Sequence, residues 1–237
     1  VLLALIFVLL ALIFRSKKYR SFFLSLLLAF SITIPYQLFT LKTTGKVLFM
    51  TNISGESVYW ISTPYEREYG DWNNENFDSN CQSESTKGEN CNKKFLEKNH
   101  GKFFDGIKNL NMIEKNDALL AQGIKNIQKN PFKYLRNVLS NISRLLFNIP
   151  SSYFYQRDIT ILRIIPNSIL FSLIIFSLGI SIINLKKIPI EMCYCLFFIF
   201  VYLVMSSLVT AYARMFTIVV PYLLIWSFYS LRLWKDS

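Results

Sequence analysis

The sequence predicts a mainly α-helical membrane protein, a polytopic helical bundle with one large extracytoplasmic loop region that contains amphipathic juxtamembrane helices. Composition is the first reason, because 52% of the 237 residues are hydrophobic and 17% are charged, whereas a soluble domain carries about a quarter charged residues. Pattern is the second reason, since long apolar runs lie on both sides of a mostly polar region. With 8 glycines and 4 cysteines, the chain is neither collagen-like nor a disulfide scaffold.

Apolar runs divide the chain into three parts. The runs are Val1–Phe14, Ser21–Phe39, Ile164–Leu185, Ile188–Val209 and Met215–Leu231. We therefore expect two spans in residues 1–39, a polar loop in residues 40–158 and three spans in residues 159–237. The third and fourth runs make about 33 Å of helix, enough to cross a hydrocarbon core of roughly 30 Å. The first run makes only about 21 Å, so we expect it to be truncated and the chain to be the C-terminal piece of a longer protein.

The positive charge follows the pattern of membrane topology. Lys and Arg number 26 against 15 Asp and Glu, a net charge of +11. If the spans alternate, one side receives the cations Arg15, Lys17, Lys18, Arg20, Lys186, Lys187, Arg232 and Lys235. The short loop on the opposite side, residues 210–214, contains only Arg214. This asymmetry predicts a membrane protein with a cytoplasmic C-terminus and residues 40–158 outside the cytoplasm, and it explains the basic surplus without nucleic acid.

Cysteine and histidine suggest a disulfide and no metal site. Cys81 and Cys91 lie in a polar loop that the charge pattern places outside the cytoplasm, so a disulfide between them is plausible. Cys193 and Cys195 lie in an apolar run and are expected to be packing residues. The single histidine, His100, follows a lysine-rich stretch and is expected to be a solvated surface residue.

The polar region is predicted to contain turns first and amphipathic helices afterwards, at about residues 105–148. Val58–Ile61 is compatible with a short strand. Pro131 fits the first turn of a helix capped by Asn130. One face of that helix is apolar, with Leu135, Val138, Leu139, Ile142, Leu145 and Leu146 at offsets of three and four. Such a cationic helix fits the bilayer interface, and packing on the core of its own region is an equally good alternative.

An aromatic and acidic stretch is a candidate surface for a sugar or an acceptor. It contains Trp60, Tyr65, Asp71 and Trp72. Aromatic rings stack on the C–H faces of sugars and carboxylates accept hydroxyl hydrogen bonds, which fits a saccharide-facing surface. An aromatic loop that lies on the membrane explains the same residues equally well.

A permanent cation lies at the start of the last span. Arg214 follows Tyr212 and precedes Pro221. Arginine at the mouth of a span is a functional candidate because a guanidinium matches phosphate geometry. The alternative is an arginine that only snorkels to lipid headgroups. Arg163 is a second candidate at the same level.

Three stretches resemble a known family. They are TGKVLFMTNISGESVYWISTPYEREYGDW, IKNIQKNPFKYLRNVLSNISRLLF and AYARMFTIVVPYLLIW, in the order span pair, loop, three spans. This arrangement resembles the C-terminal half of bacterial membrane glycosyltransferases of family 39, GT-C type enzymes related to dolichyl-phosphate-mannose protein mannosyltransferases and to the aminoarabinose transferase of lipid A. The resemblance covers nearly the whole chain and is best marked at Asn130–Leu135 and at the Arg214-to-Pro221 opening of the last span.

The resemblance implies an integral protein of the bacterial inner (plasma) membrane. It also implies transfer of a sugar from a polyprenyl-phosphate-linked donor to a glycan, lipid or protein acceptor of the cell envelope. The family's acidic catalytic motif lies in its first outer loop, so the catalytic residues are expected upstream of Val1. Arg214, Tyr212 and Arg163 are then candidates for binding the donor phosphate. No cofactor follows from the sequence, although a divalent cation bound by the upstream part is one option.

Two other classes of protein fit the same pattern. One is an O-antigen polymerase or ligase, which also has many spans and one large outer loop. The other is a non-enzymatic membrane subunit whose outer loop binds a partner. An acidic pair in a first outer loop upstream would favour the glycosyltransferase, and its absence would favour the other two.

Overall fold

A computed structural model describes residues 17–46, 53–73, 93–152, 162 and 164–235. The chain forms two compact units, Val1–Asn52 and Ile53–Ser237. Across the described residues, all regular structure is helical. The sequence-based prediction of a mainly α-helical fold is therefore confirmed for this part of the chain.

In the first unit, helix α1 spans Lys17–Thr44. It contains the predicted second span, Ser21–Phe39, and it continues through Pro35. Two of its polar side chains are satisfied within the helix, since the hydroxyl of Ser31 donates to the Leu27 carbonyl at 2.8 Å and that of Thr33 to the Phe30 carbonyl at 2.7 Å. A membrane position for α1 stays a prediction, and the first apolar run, Val1–Phe14, lies outside the described residues.

In the polar part of the second unit, the described residues form six helical segments. They are α2 (Ser54–Ile61), α3 (Lys93–Leu96), a π-helical turn (Glu97–Gly101), α4 (Lys102–Ile107), α5 (Met112–Lys129) and α6 (Pro131–Phe147). Asn111 caps α5 in a capping box with Glu114. Pro131 occupies the first turn of α6 as predicted, but the Asn130 side chain makes no capping hydrogen bond.

The predicted strand at Val58–Ile61 is wrong, because these residues belong to helix α2. Close packing of α2 on α5 explains the helix. A Cβ atom on Gly55 would lie 2.0 Å from the Asn116 carbonyl oxygen, and one on Gly123 would lie 2.9 Å from Val58 Cγ1. The two glycines let the backbones approach, and this tertiary packing outweighs the β propensity of Val58, Tyr59 and Ile61.

Three helices of the second unit are long and apolar enough to cross a membrane: α7 (Ile164–Ile183), α8 (Ile190–Val209) and α9 (Ala213–Lys235). They match the last three predicted spans. A short 3₁₀ turn, Leu185–Lys187, connects α7 to the segment before α8. Helix α9 begins before the predicted Met215, so Arg214 lies in its first turn.

Small polar residues connect α7 to α9. The indole nitrogen of Trp226 donates to Ser181 Oγ at 3.0 Å, and the hydroxyls of Ser181 and Ser230 are 3.0 Å apart. Serine allows helices to approach closely in an apolar surrounding. Beside this contact, Phe216 and Leu223 of α9 pack in a buried cluster with Leu145 of α6.

Helix α6 buries its polar face and exposes most of its apolar face. Asn137, Asn141 and Arg144 are at most 5% exposed. By contrast, Leu135 is 55% and Leu139 66% exposed. Packing of the apolar face on the region's own core, one of the two interpretations of the sequence, therefore holds only for Val138 and the C-terminal residues around Leu145.

Candidate functional site

A cavity of about 460 Å³ lies where α6 ends and where α7 and α9 begin. Its lining residues are Phe147, Asn148, Asn167, Tyr212, Ala213 and Arg214. The structure thus brings together two of the three predicted phosphate-binding residues, Tyr212 and Arg214. The third, Arg163, lies outside the described residues.

The cavity presents a cation beside a neutral phenol. The guanidinium carbon of Arg214 lies 5.0 Å from the centre of the Tyr212 ring, a cation–π distance. Burial raises the pKa of Tyr212, although the nearby Arg214 acts in the opposite direction. The phenol therefore stays protonated at neutral pH and keeps its hydroxyl as a hydrogen-bond donor.

Arg214 occupies an electrostatically unusual position. It lies in the first turn of α9, where the helix dipole and the free backbone N–H groups favour negative charge rather than positive charge. An anion bound at this point would interact favourably with both the guanidinium and the helix end. The exposed Arg214 side chain, the Tyr212 hydroxyl and the helix start all suit an anionic group.

Hydrogen bonds fix the α6 side of the cavity. The Asn167 amide donates to the Leu146 carbonyl at 2.6 Å and ties the start of α7 to the end of α6. Asn148 ends α6 in the left-handed conformation at φ 62°, and its N–H donates to the Arg144 carbonyl at 2.8 Å. Asparagine tolerates this conformation better than most residues.

Behind the cavity, Arg144 and Asp71 hold the chain that follows α6. Arg144 donates to the carbonyls of Pro150 at 2.9 Å and Tyr69 at 3.0 Å, and its guanidinium lies 3.8 Å from an Asp71 oxygen. Asp71 accepts hydrogen bonds from the Ser152 N–H at 2.9 Å and from the Ser152 hydroxyl. The sequence predicted Asp71 to face a sugar, but the side chain is 7% exposed and makes these internal contacts instead.

The other predicted sugar-facing residues do not form one exposed surface. Trp60 is 0% exposed, and its ring lies 4.7 Å from the His100 ring and 5.9 Å from the Phe104 ring. Tyr65 is half-buried and donates its hydroxyl to the Asn99 carbonyl at 2.6 Å. Trp72 is half-buried against the same cluster. Burial argues against sugar contact by Trp60 and Asp71, while for Tyr65 and Trp72 that contact stays a prediction.

Sequence reasoning missed a buried polar cluster around His100. The expectation of a solvated histidine is wrong, because His100 is 2% exposed. Its Nδ1 lies 2.7 Å from the Tyr59 hydroxyl, and its Nε2 lies 2.9 Å from Glu68 Oε2. Glu68 is itself 0% exposed and also accepts from the Thr63 hydroxyl and, at 2.9 Å, from the Asn99 amide. A lone histidine in an aromatic-rich region was the one available signal.

Hydrogen bonding keeps Glu68 ionised. Burial by itself would raise the pKa of the Glu68 carboxyl, but the hydrogen bonds and charge of His100 and the hydrogen bonds from Thr63 and Asn99 outweigh it, so that the pKa is lowered from 4.5. Glu68 and His100 themselves are almost fully buried, and the hydrogen bonds described above join them to other groups of the protein. These contacts fit a structural role.

Metal binding and similarity to known proteins give no further assignment. Within the described ranges, no group of three or more His, Cys, Asp or Glu side chains could hold a metal ion. Cys81 and Cys91 lie outside those ranges, so the disulfide stays a prediction. No protein-family model, curated protein or solved structure matches this chain.

Proposed function

We propose that this chain is part of a membrane glycosyltransferase that takes a sugar from a polyprenyl-phosphate-linked donor, and that the cavity at Arg214 binds the donor phosphate. The observation that carries the proposal is the placement of Arg214 and Tyr212 in one cavity at the start of α9, a helix long and apolar enough to cross a membrane. The family resemblance supplies the sugar-transfer chemistry.

The cavity has the groups that such a donor requires. The guanidinium of Arg214 can donate two parallel hydrogen bonds to phosphate oxygens, and the Tyr212 hydroxyl can add a third donor. The polyprenyl tail would lie along the exposed apolar surface of the spans, which includes Ile165 and Ile218 near the cavity end. When the sugar leaves, the same donors stabilise the charge on the departing lipid phosphate.

The charge distribution supports a particular side of the membrane for the cavity. Lys186 and Lys187 lie in the connection between α7 and α8, at the end of α7 opposite to Asn167 and the cavity. With these lysines on the cytoplasmic side, the cavity opens on the outer face of the inner membrane. The acceptor is then a component of the cell envelope.

Arg214→Ala and Arg214→Lys test the phosphate site. In the protein from the complete gene, transfer should fall roughly 30- to 1,000-fold for Arg214→Ala, because a charge-assisted contact of about 2–4 kcal/mol is lost. Arg214→Lys keeps the positive charge but loses the paired N–H donors of the guanidinium, so transfer should fall less than for Arg214→Ala. In nanodiscs, binding of undecaprenyl phosphate should weaken in the same order. The matched control is Lys125→Ala, which removes an exposed cation from α5.

Measuring lipid-phosphate binding and sugar transfer separately tests the phosphate site and the glycosyltransferase activity independently. Binding and transfer by Arg214→Ala within about twofold of the Lys125→Ala control would assign Arg214 to headgroup snorkelling and refute the phosphate site. Weakened phosphate binding without any sugar transfer by the wild-type protein would retain the site and refute the glycosyltransferase.

A further inference from the structure

Within the described part of the chain, helix α6 carries an exposed apolar stripe. It consists of Phe132, Leu135, Leu139 and Ile142, at successive offsets of three, four and three residues. Their exposed fractions are 86%, 55%, 66% and 38%. Four large apolar side chains on one line of one helix are more than the scattered exposed residues of an ordinary protein surface.

The opposite face of α6 fixes the direction of this stripe. The Asn137 amide donates to the carbonyls of Ile61 at 2.8 Å and Thr63 at 3.1 Å. The Asn141 amide donates to the Ser207 carbonyl at 3.0 Å. Rolling the helix to bury the stripe would break these bonds and leave buried polar groups unsatisfied, which is unfavourable. The stripe therefore points away from the described helices of the second unit.

Contacts with all three candidate spans determine where α6 lies. Tyr134 donates its hydroxyl to the Leu208 carbonyl at 3.0 Å, and Asn141 contacts Ser207, so both reach the C-terminal end of α8. The Leu146 carbonyl accepts from Asn167 at the start of α7. Leu145 packs in the cluster that contains Phe216, near the start of α9. Helix α6 thus crosses the same end of all three spans, which is the depth of the membrane surface if the spans are in the bilayer.

Charge on α6 complements a lipid surface. The helix contains no Asp or Glu. Of its three cations, Arg136 faces solvent. Arg144 is buried beside Asp71, whereas Lys133 is half-buried and donates to a backbone carbonyl. Arg136 is 64% exposed, and its partner at 3.3 Å, Glu66, is 82% exposed, so the pair is weak and the cation remains accessible. Cations beside an apolar stripe are typical of helices that lie on anionic membranes.

We propose that the stripe of Phe132, Leu135, Leu139 and Ile142 is a bilayer-binding surface that lies at the boundary between headgroups and acyl chains, in the membrane that α7, α8 and α9 cross. The occupant is lipid, because the stripe is continuous with the ends of three apolar helices and because the accessible Arg136 borders it on a helix without Asp or Glu. A protein partner could bind an apolar stripe anywhere on the surface, whereas lipid requires a stripe at the end of the membrane-spanning helices, where this one lies. The proposal stands independently of sugar transfer.

A nitroxide at Leu139 measures the surroundings of the stripe. Leu139→Cys is made in a full chain in which Cys81, Cys91, Cys193 and Cys195 are replaced by serine, and the labelled protein is placed in vesicles of phosphatidylglycerol and phosphatidylcholine. The label should collide more with oxygen, which dissolves in lipid, than with a water-soluble nickel complex. The matched control is Asn109→Cys, an exposed position on the polar turn after α4, where the nickel complex should dominate.

Two outcomes would overturn the proposal. Equal behaviour of the two labels, with preference for the nickel complex, would place the stripe in water. Poor access of the Leu139 label to both reagents would place the stripe against protein, either another segment or a second copy. A photoreactive benzoylphenylalanine at Leu139 in the chain with its native cysteines gives an independent reading, since crosslinks to lipid support the proposal and crosslinks to protein oppose it.

Discussion

Glu68 and His100 form a buried polar pair beside the aromatic core cluster that contains Tyr59, Trp60 and Phe104. Both are almost fully buried, and their hydrogen bonds connect α2, the loop after it and the π-helical turn. Three donors converge on the Glu68 carboxylate, namely Thr63 from the same loop and the consecutive Asn99 and His100 from the π-helical turn. Holding these segments together is the role that the geometry supports.

Acid should weaken this cluster. The pKa of Glu68 is lower in the folded protein than its ordinary value of 4.5, so the stabilisation is fully present above that pH and is lost as the pH falls through the folded value. The unfolding temperature of the wild-type protein in detergent should therefore drop below pH 4.5. Glu68→Gln should be less stable at pH 7, by about 1–3 kcal/mol, and should respond less to acid. Parallel pH curves for the two proteins would contradict this role.

The sequence singled out Arg214 and Tyr212, which line one cavity in the structure, and their phosphate-binding role stays a prediction. Arg214 and Tyr212 were identifiable because a cation at the mouth of an apolar run has few structural uses. The roles of Asp71, Glu68 and His100 could not be predicted. A polar side chain that holds a loop and one that faces a ligand can have the same local sequence. Only the long-range partners, Ser152 for Asp71 and Tyr59 for His100, distinguish them.

At the scale of elements, periodicity predicted α6 but not which face is buried. The amphipathic pattern of α6 alone does not decide which face is buried. The apolar face would be buried in a protein surrounded by water, and it could be exposed in a helix that contacts lipid. The decision depends on partners distant in sequence, namely the carbonyls of Ile61 and Ser207. Helix α2 shows the complementary failure, because local β propensity in Val58–Ile61 was overridden by close packing on α5.

Gly55→Ala should strongly destabilise the crossing of α2 and α5. The new methyl group would lie 2.0 Å from the Asn116 carbonyl oxygen, and a backbone atom cannot move aside cheaply. We expect a loss of at least about 1–3 kcal/mol, measured by thermal or denaturant unfolding in detergent.

Gly106→Ala is the matched control for this substitution. A Cβ atom at Gly106, within α4, meets nothing within 4 Å. Alanine should therefore be neutral or stabilise the helix by up to about 1 kcal/mol. Similar unfolding curves for the two variants would show that the close approach at Gly55 is not required.

At the scale of the whole molecule, the charge asymmetry predicts an orientation that can be measured. Single cysteines at Asn109 and Lys187 occupy the polar part and the 3₁₀ turn between α7 and α8. In intact cells, a membrane-impermeant maleimide should label Asn109→Cys from outside and should reach Lys187→Cys only after the membrane is opened. Labelling of Lys187→Cys in intact cells together with protection of Asn109→Cys would reverse the orientation.

The hydrogen bonds between α6 and α8 also imply an order of folding. Helix α6 is synthesised before α8, yet Tyr134 and Asn141 of α6 bind the carbonyls of Leu208 and Ser207 at the end of α8. Its polar face therefore lacks these acceptors until α8 is in place. During synthesis, α6 is therefore made before its hydrogen-bond acceptors on α8 exist. We expect the region that contains α6 to finish folding only after the later helices are in place. For the same reason, residues 53–152 expressed without the spans should not yield a soluble, independently folding fragment.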